Sequence, residues 1–381
     1  MTLTRRKTLA LLGGGVIVAA SAAAGLRVTR KPTKAGQPWD MAGQYDDPRM
    51  NVLSYAILAP NPHNRQPWLV DLATPNQITL LVDTDKMLPH TDPFHRQITI
   101  GLGCFLEVLR MAATHQGLRA EITTFPDGMD ALALDGRPIA QIALVQDATV
   151  TPDPLFAHVL DRRTQKDPYD VTRTVPVSVA QELVTAVTST QTDTTVDPAK
   201  IAELRTLCEQ ALVIEIDTPR TYQESVDLFR IGAKEVDANP DGIDFTGPLF
   251  EGLAAAGLFT RTTVLDRSST SFSAGMDAVL ENVRTAMGFV WQITPANTRL
   301  DQLNAGADWV RLHLTAQANG LALQPLSQAL QEYPEMAELY DAVHKRLAPD
   351  GGTVQMLARL GYCAQVPPSP RWPIEAKTVD A

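Results

Sequence analysis

The sequence predicts an α+β protein in which two related α/β halves pack as a pseudo-dimer within one chain. Helical and strand-like apolar periods alternate along its 381 residues. Two helical segments, residues 103–118 and 306–321, align without a gap, and both begin with glycine and end on Gly-Leu. Hydrophobic residues make up 44% of the chain and charged residues 20%, which is enough for a large core.

The charge balance excludes some classes of partner. The formal net charge is -10, and removal of residues 1–24, which carry basic but no acidic side chains, would make it more negative. An acidic surface argues against nucleic acid or an anionic membrane as the main partner. Cys104, Cys208 and Cys363 lack CxxC spacing, so we expect buried thiols rather than a metal site or a disulfide framework.

The N-terminus has the pattern of an export signal. Arg5 and Arg6 precede an apolar run, residues 9–25, that contains small-residue cleavage motifs. We therefore predict a twin-arginine signal peptide in residues 1–24, export to the periplasm, and a tether over residues 25–48. An uncleaved membrane anchor is the alternative, because a run of about seventeen residues is close to the length that spans a bilayer.

Residues 59–68, APNPHNRQPW, form the most distinctive segment of the first half. Three prolines favour a stiff loop, which would join a helix over residues 52–58 to a strand over residues 69–72. Such a loop can present backbone amides and carbonyls to a planar polar ligand. A solvated connector is the competing interpretation.

The remaining periodicity divides the chain near the proline-rich turn at residues 151–154. The first half, residues 49–150, contains a helix over 103–116 and strands over 121–125 and 139–145. The second half, residues 151–375, contains the second helix, with strands predicted over 211–216 and 322–324. A glycine-rich segment, residues 241–273, predicts an inserted helix and loop that could act as a lid.

A basic cluster begins the second half. Arg162 and Arg163 offer forked guanidinium groups, Thr164 a hydroxyl and Lys166 an ammonium group. Phosphate recognition uses this mixture of donors. A solvated charged loop is the competing interpretation, as it is for the lone Arg371 in the proline-rich segment near the C-terminus.

Together these segments resemble one family, the FMN-dependent nitroreductase superfamily, in its exported branch with two halves fused in one chain. The matching segments are the loop at 59–68, the cluster at 162–166, the helix at 306–321 with residues 324–328, and residues 368–373. The resemblance spans roughly residues 46–375 and depends on their order, because only the loop motif is fairly specific.

The resemblance implies FMN as the cofactor and assigns residues to it. The basic set would hold the phosphate, the loop would approach the flavin from the other half, and a strand end would line the isoalloxazine ring. These sets are Arg162, Arg163, Thr164, Lys166 and Arg371 for the phosphate, Pro60, Asn61, Pro62 and Asn64 for the loop, and Pro325, Leu326 and Ser327 for the strand end. No catalytic side chain is assigned, because the flavin carries the chemistry.

The resemblance also implies an activity. A small-molecule donor would reduce FMN and leave, and a quinone or nitro-type acceptor would then take the electrons in a ping-pong cycle. The alternative is a non-catalytic, flavin-sequestering protein of the same fold, in either case monomeric. A zinc module built on Asp85, His90, Asp92 and His95 is a third hypothesis, but intervening prolines favour a hydrogen-bonded turn, so no metal is predicted.

Overall fold

The computed structural model describes residues 31–379. The predicted signal peptide lies outside the described residues. The α-helices are α1 Gln37–Asp40, α2 Pro48–Ala56, α3 Arg96–His115, α4 Val177–Thr185, α5 Pro198–Asp217, α6 Pro219–Asp227, α7 Ala233–Ala238, α8 Pro248–Ala255, α9 Arg261–Leu265, α10 Thr270–Arg284, α11 Arg299–Ala318 and α12 Ala337–Leu347. The strands are β1 Trp68–Asp71, β2 Gln77–Val82, β3 Leu118–Thr124, β4 Ala140–Gln146, β5 Gln191–Thr195, β6 Phe229–Ile231, β7 Ile243–Phe245, β8 Gly288–Thr294, β9 Ala322–Pro325, β10 Thr353–Gly361 and β11 Thr378–Val379.

Two sheets of similar design account for most of these strands. The first has the order β11-β1-β2-β4-β3 and the second β5-β8-β10-β9. Apart from the parallel pair β1–β11, every pairing in both sheets is antiparallel. In each sheet a long helix leads directly into an edge strand, α3 into β3 and α11 into β9. The α+β class is therefore confirmed.

The two long helices cross at reciprocal glycines. A Cβ atom on Gly103 would collide with the carbonyl of Leu303, and one on Gly306 would collide with the carbonyl of Ile100. Each glycine meets the carbonyl of the residue three positions before the other glycine, as expected of a contact that a two-fold rotation would map onto itself. Without side chains at these positions, the two backbones come into direct contact.

Helix α3 is also the apolar centre of the first hydrophobic core. It is long and apolar enough to cross a membrane, but 83% of its apolar window is buried inside the protein, as in a core helix. The first core includes α2, β1, β2 and α11, whereas a second core lies between α5, α12 and strands β8 and β10. Trp68 and Trp291 belong one to each core, on strands.

A long insertion separates β5 from β8. It contains α5 to α10 and a small parallel pair, β6–β7. The predicted lid segment, residues 241–273, is mostly helical here, with the short strand β7 near its start. Phe229, Phe245, Phe250 and Phe259 form an aromatic cluster in this insertion, with ring centroids 4.6–6.4 Å apart.

Some local predictions fail for physical reasons. The strand predicted over residues 211–216 is wrong, because this apolar run is the end of helix α5, and a short apolar run fits a buried helix as well as a strand. Both long helices begin seven residues before the predicted glycines, at Arg96 and Arg299. Those glycines are crossing points rather than helix starts.

Candidate anion-binding site

The loop at residues 59–68 is held in an unusual backbone conformation. His63, Asn64 and Gln66 all have positive φ, at 47°, 51° and 50°. Non-glycine residues rarely occupy this region, and such strain persists only where the surroundings enforce it. One enforcing contact is internal, since the backbone amide of Gln66 donates to Asn61 Oδ1 at 2.7 Å.

The C-terminal segment, residues 369–372, supplies further contacts. Gln66 is completely buried, and its Oε1 accepts from the backbone amide of Trp372 at 2.8 Å. Asn64 Nδ2 donates to the carbonyl of Pro370 at 2.9 Å. The loop is thus bound to residues some three hundred positions away, and Gln66 fixes it, as Trp68 does from the core.

Arg371 has its donors occupied by the protein itself. The side chain is 2% exposed and makes six hydrogen bonds. Its acceptors are the carbonyls of Ile57, Leu58, Ala59 and Pro370, Asn64 Oδ1 and Ser369 Oγ, at 2.6–3.2 Å. Because a guanidinium group has five N–H groups, Arg371 caps the end of α2 and orders the loop with no donor left over.

Arg162 is buried in the same place but is not saturated. It is 4% exposed and, in the described part of the chain, donates one hydrogen bond, from Nη2 to the carbonyl of Leu58 at 3.1 Å. Arg371 Nη2 donates to the same carbonyl, also at 3.1 Å. The cluster and the loop therefore meet at Leu58, and Arg162 retains donors for another acceptor.

Charge and burial act together on these two arginines. Burial lowers the pKa of Arg162 to about 10, although the neighbouring Cys104 opposes this shift. Burial and the charge of Arg162 together lower the pKa of Arg371 to about 9, although Asp244 opposes this shift. Two buried like charges that share one acceptor create a site where an anion would be stabilised.

Three buried nitrogen atoms around the cluster have no hydrogen-bond partner within the described chain: His63 Nδ1, Arg163 Nε and His313 Nδ1. His313 Nε2 contacts the carbonyl of Arg163 at 2.9 Å. Burial lowers the pKa of His63 to about 4 and that of His313 to about 3, so both rings are neutral at pH 7. Buried polar groups are normally satisfied, so these atoms indicate a polar ligand or water in the cluster.

The insertion covers the loop from outside. Gln66 Nε2 donates to the carbonyl of Pro240 at 2.7 Å, and the Gly242 amide donates to the carbonyl of Asn64 at 3.2 Å. Asp241, 1% exposed, bonds Lys86 Nζ at 2.7 Å and Arg230 Nη2 at 2.6 Å. Residues 240–242 are therefore anchored by both hydrogen bonds and charge.

The other predicted site residues occupy two neighbouring places. The loop residues Pro60, Asn61 and Pro62 are half-buried, and Asn61 and Pro62 lie over Gly101 of α3. Thr164 is half-buried and Lys166 exposed, on a segment joined to β9 by a hydrogen bond from the amide of Gln165 to the carbonyl of Leu323 at 3.2 Å. 

The predicted flavin-lining residues Pro325, Leu326 and Ser327 lie at the end of β9, the strand to which Gln165 is hydrogen bonded. Leu326 is 5% exposed and its side chain packs in the second core. Its backbone amide donates to the carbonyl of Leu357 at 2.8 Å. Pro325 and Ser327 are half-buried and can still present backbone to a ligand.

Two other places show no comparable chemistry. A groove of about 320 Å³ between α5 and α12, lined by Glu203 and Arg346 among others, is remote in the fold from the cluster. Asp92 caps the start of α3 by accepting the amides of Gln97 and Ile98, and His95 Nδ1 accepts the amide of Leu134. Within residues 31–379, no group of three potential ligands could hold a metal ion.

Sequence reasoning missed several residues of this region. Trp39 lies in the segment predicted as a tether, yet it is 8% exposed and contacts Arg163 and Arg371. Asp237 and Asp241 lie in the insertion, and no local pattern connects them to the loop. Trp39 itself was the one available signal, because a tryptophan in an otherwise polar segment is often largely buried.

Comparison with known proteins finds relatives that are named as putative nitroreductases. No family model matches the chain. It is 27% identical over 333 residues to the putative NAD(P)H nitroreductase Rv3131 of Mycobacterium tuberculosis, covering 84% of this chain and 88% of the relative. The putative NAD(P)H nitroreductase acg of the same organism is 33% identical over 84 residues, 22% of this chain and 25% of that protein. The chain is therefore similar to putative nitroreductases over most of its length.

Solved structures similar to this chain include a nitroreductase and a putative nitroreductase. One is the FMN-dependent nitroreductase NfnB from Mycobacterium smegmatis in complex with NADPH, at 18% identity and a TM-score of 0.35, covering 58% of this chain and 95% of that one. The other is a putative nitroreductase from Anabaena variabilis, at 13% identity and a TM-score of 0.39, covering 90% and 91%.

Proposed function

We propose that this protein binds FMN and is an oxidoreductase of the nitroreductase type. The observation that carries the proposal is Arg162, which is buried at the strained loop and donates one hydrogen bond in the described chain, to the carbonyl of Leu58. A buried cation of this kind requires an anionic partner, and the FMN phosphate supplies one. The similarity to putative NAD(P)H nitroreductases supports an oxidoreductase, and the resemblance of the sequence segments to FMN-dependent nitroreductases leads us to propose FMN as the phosphorylated ligand.

The residues present fit this cofactor. Arg162, Arg163, Thr164 and Lys166 would hold the phosphate, while Arg371 would keep the loop in position from behind. The unpartnered Arg163 Nε and His63 Nδ1 are available to a polar ligand. Bound FMN would supply two-electron transfer between a reduced small-molecule donor and a quinone or nitro-type acceptor, which bind in turn.

The chain's own contribution to the reaction is binding, orientation and electrostatics. Donors directed at a planar ring stabilise negative charge that develops on it. Pro60, Asn61, Pro62 and Asn64 would present the loop backbone to one side of the ring, and Pro325, Leu326 and Ser327 the end of β9. The buried, cationic surroundings would also exclude water from the phosphate.

The two buried arginines have different contacts, so replacing each of them tests a different part of the proposal. Arg162→Ala should weaken FMN binding roughly 10- to 100-fold, because charge-assisted hydrogen bonds contribute about 1.5–3 kcal/mol each, and it should change the melting temperature little. Arg371→Ala should instead lower stability, because buried carbonyls of the α2 end lose their donor. Flavin absorbance of the purified proteins and calorimetric titration with FMN measure both effects.

Arg137→Ala provides a matched control, since Arg137 is an exposed arginine that pairs with Asp135. A wild-type chain that purifies colourless and binds no added FMN would disprove the cofactor assignment. An Arg162→Ala variant that binds FMN as tightly as wild type would disprove the phosphate assignment alone.

A non-catalytic, flavin-sequestering role is the second candidate. It is favoured by residues 240–242, which are hydrogen bonded over the loop and would restrict access to a ring held there. Anaerobic addition of NADPH, or of a quinol, separates the two candidates. Bleaching of the flavin absorbance followed by its recovery with a nitro compound or quinone would exclude sequestration, and no bleaching with either donor would exclude the reductase.

We further propose that the chain arose as two fused, related halves, residues 49–150 and 151–375, with the lid at 241–273 as an insertion in the second. The reciprocal contacts of Gly103 and Gly306, and the long helix that leads into an edge strand in each sheet, support this proposal. One FMN would then lie between the loop of the first half and the cluster of the second, which makes the monomer functionally complete.

Export by the twin-arginine route to the periplasm remains part of the proposal. Arg5 and Arg6 carry it. Replacing both with lysine should keep the protein in the cytoplasmic fraction, whereas unchanged localisation would disprove the route.

A further inference from the structure

The first described segment of the chain is held by one carboxylate of the insertion. The backbone amides of Thr33, Lys34 and Ala35 and the Thr33 hydroxyl all donate to Asp237, at 2.8–3.1 Å. Consecutive amides converging on one anion form a compact and specific contact. Residues 33–39, which we call the strap, are therefore a folded part of the molecule.

The strap is also attached to the C-terminal segment. Trp39 Nε1 donates to the carbonyl of Ser369 at 2.8 Å, and the amide of Arg371 donates to the carbonyl of Ala35 at 2.9 Å. Ala35 is 2% exposed. These bonds place the strap beside the residues that hold the strained loop.

Trp39 lies against two of the cationic side chains. The guanidinium carbon of Arg163 lies 4.8 Å from the centroid of the Trp39 ring, and that of Arg371 lies 5.6 Å from it. An indole face attracts guanidinium groups and limits their orientations. Attraction to one ring offsets part of the repulsion between neighbouring like charges, and the buried ring also excludes water from them.

We propose that the strap forms a wall of the anion-binding site, with Trp39 positioning Arg163 and Arg371 and Asp237 holding the strap closed. This inference rests on the proposed function, because it deepens the same site. Asp237 lies in α7, immediately before residues 240–242 over the loop. The strap, the insertion and the loop are therefore connected through direct contacts. An ordered strap favours binding of an anion, and a bound anion favours an ordered strap.

Trp39→Ala should weaken FMN binding about tenfold, by removal of the ring from both guanidinium groups. Trp39→Phe keeps a ring face and should restore most of the affinity, although it lacks the bond to Ser369. Asp237→Ala should weaken binding to a similar extent by releasing the strap. Calorimetric titration of each full chain with FMN, and separately with inorganic phosphate, measures these effects.

Tryptic cleavage after Lys34 gives a second measurement that is independent of activity. The bound amides protect this peptide bond in the wild type, FMN should protect it further, and Asp237→Ala should expose it several-fold. Asp277→Ala, an exposed carboxylate on α10, is the control and should leave both binding and cleavage unchanged.

The outcomes separate the two proposals. If the wild type binds FMN and Trp39→Ala and Asp237→Ala bind it equally well, the strap inference is overturned and the cofactor proposal stands. If the wild type binds phosphate but not FMN, and both variants lose phosphate, the FMN proposal fails and the strap inference stands. If the wild type binds neither ligand, both fail.

Discussion

At the scale of the residue, two buried arginines that look equivalent in the sequence have different surroundings. Arg371 is enclosed by six protein acceptors, whereas Arg162 meets one. The sequence identifies both as candidate phosphate ligands, because each lies in a segment that resembles a flavin-binding motif. The number of acceptors around each guanidinium group cannot be read from the sequence, because it depends on carbonyls from the distant end of α2.

His313 gives a prediction on pH. Burial, and then the charge of Arg162, lower its folded-state pKa to about 3, below the 6.5 of an unperturbed histidine. As pH falls below 6.5 the unfolded chain takes up a proton that the folded ring does not, so the folded state loses stability. Between pH 7 and 5 the wild type should lose about 2 kcal/mol more than His313→Gln.

Urea unfolding of both proteins at the two pH values checks this. Glutamine is the suitable replacement because its amide can still donate to the carbonyl of Arg163, which His313 contacts. Other buried groups, such as Glu215 with its pKa raised to about 7 by burial, titrate equally in both proteins and cancel in the comparison. If the free energy of unfolding falls by the same amount in both proteins between pH 7 and pH 5, the prediction is wrong.

At the scale of the element, the two long helices form the interface between the sheets. Their amphipathic pattern and glycine ends are visible in the sequence, as is the left-handed closing residue, Gly117 or Gly320, with φ of 69° and 65°. The true start of α3 is not visible, because β-branched residues before Gly103 favour strand locally and only burial against α11 makes them helical. The start of α11 is marked by a capping box of Thr298 and Asp301, a signal that sequence reasoning missed.

Substitution at the crossing should be severe. Gly103→Ala places a methyl group against the carbonyl of Leu303, a backbone atom that cannot rotate away. We expect a loss of about 3 kcal/mol in the free energy of unfolding, at the upper end for overpacking. Denaturant unfolding monitored by circular dichroism measures it.

Gly275→Ala on α10 is the control for this substitution. A Cβ there would meet no atom within 4 Å. Since alanine is a better helix former by about 1 kcal/mol, this variant should be as stable as the wild type or more so. Equal destabilisation by the two substitutions would show that the crossing has no special packing.

At the scale of the whole molecule, the predicted halves are not independent bodies. Nearly every residue of α3 is buried, and α11 is its main neighbour. Composition and the turn at 151–154 indicate where the chain divides, but the placement of the strap and insertion results from long-range hydrogen bonds. Sequence periodicity does not encode such contacts.

Separate expression of residues 31–150 and 151–379 should therefore give aggregated or unfolded fragments, since each would expose a large apolar helix face. Co-expression should restore a soluble one-to-one complex with the circular dichroism spectrum of the intact chain. Size-exclusion chromatography distinguishes these results. A soluble, cooperatively unfolding fragment 31–150 would contradict the expectation.

The contact between Trp39 and Ser369 joins positions 330 residues apart, and that between Arg371 and Ile57 spans 314. At a translation rate of about 5–20 residues per second, the loop leaves the ribosome roughly 15–60 s before its C-terminal partners. The site therefore cannot assemble until synthesis is nearly complete. A translocation pathway that begins during translation would carry an unfinished site, whereas one that begins after release gives the chain time to fold.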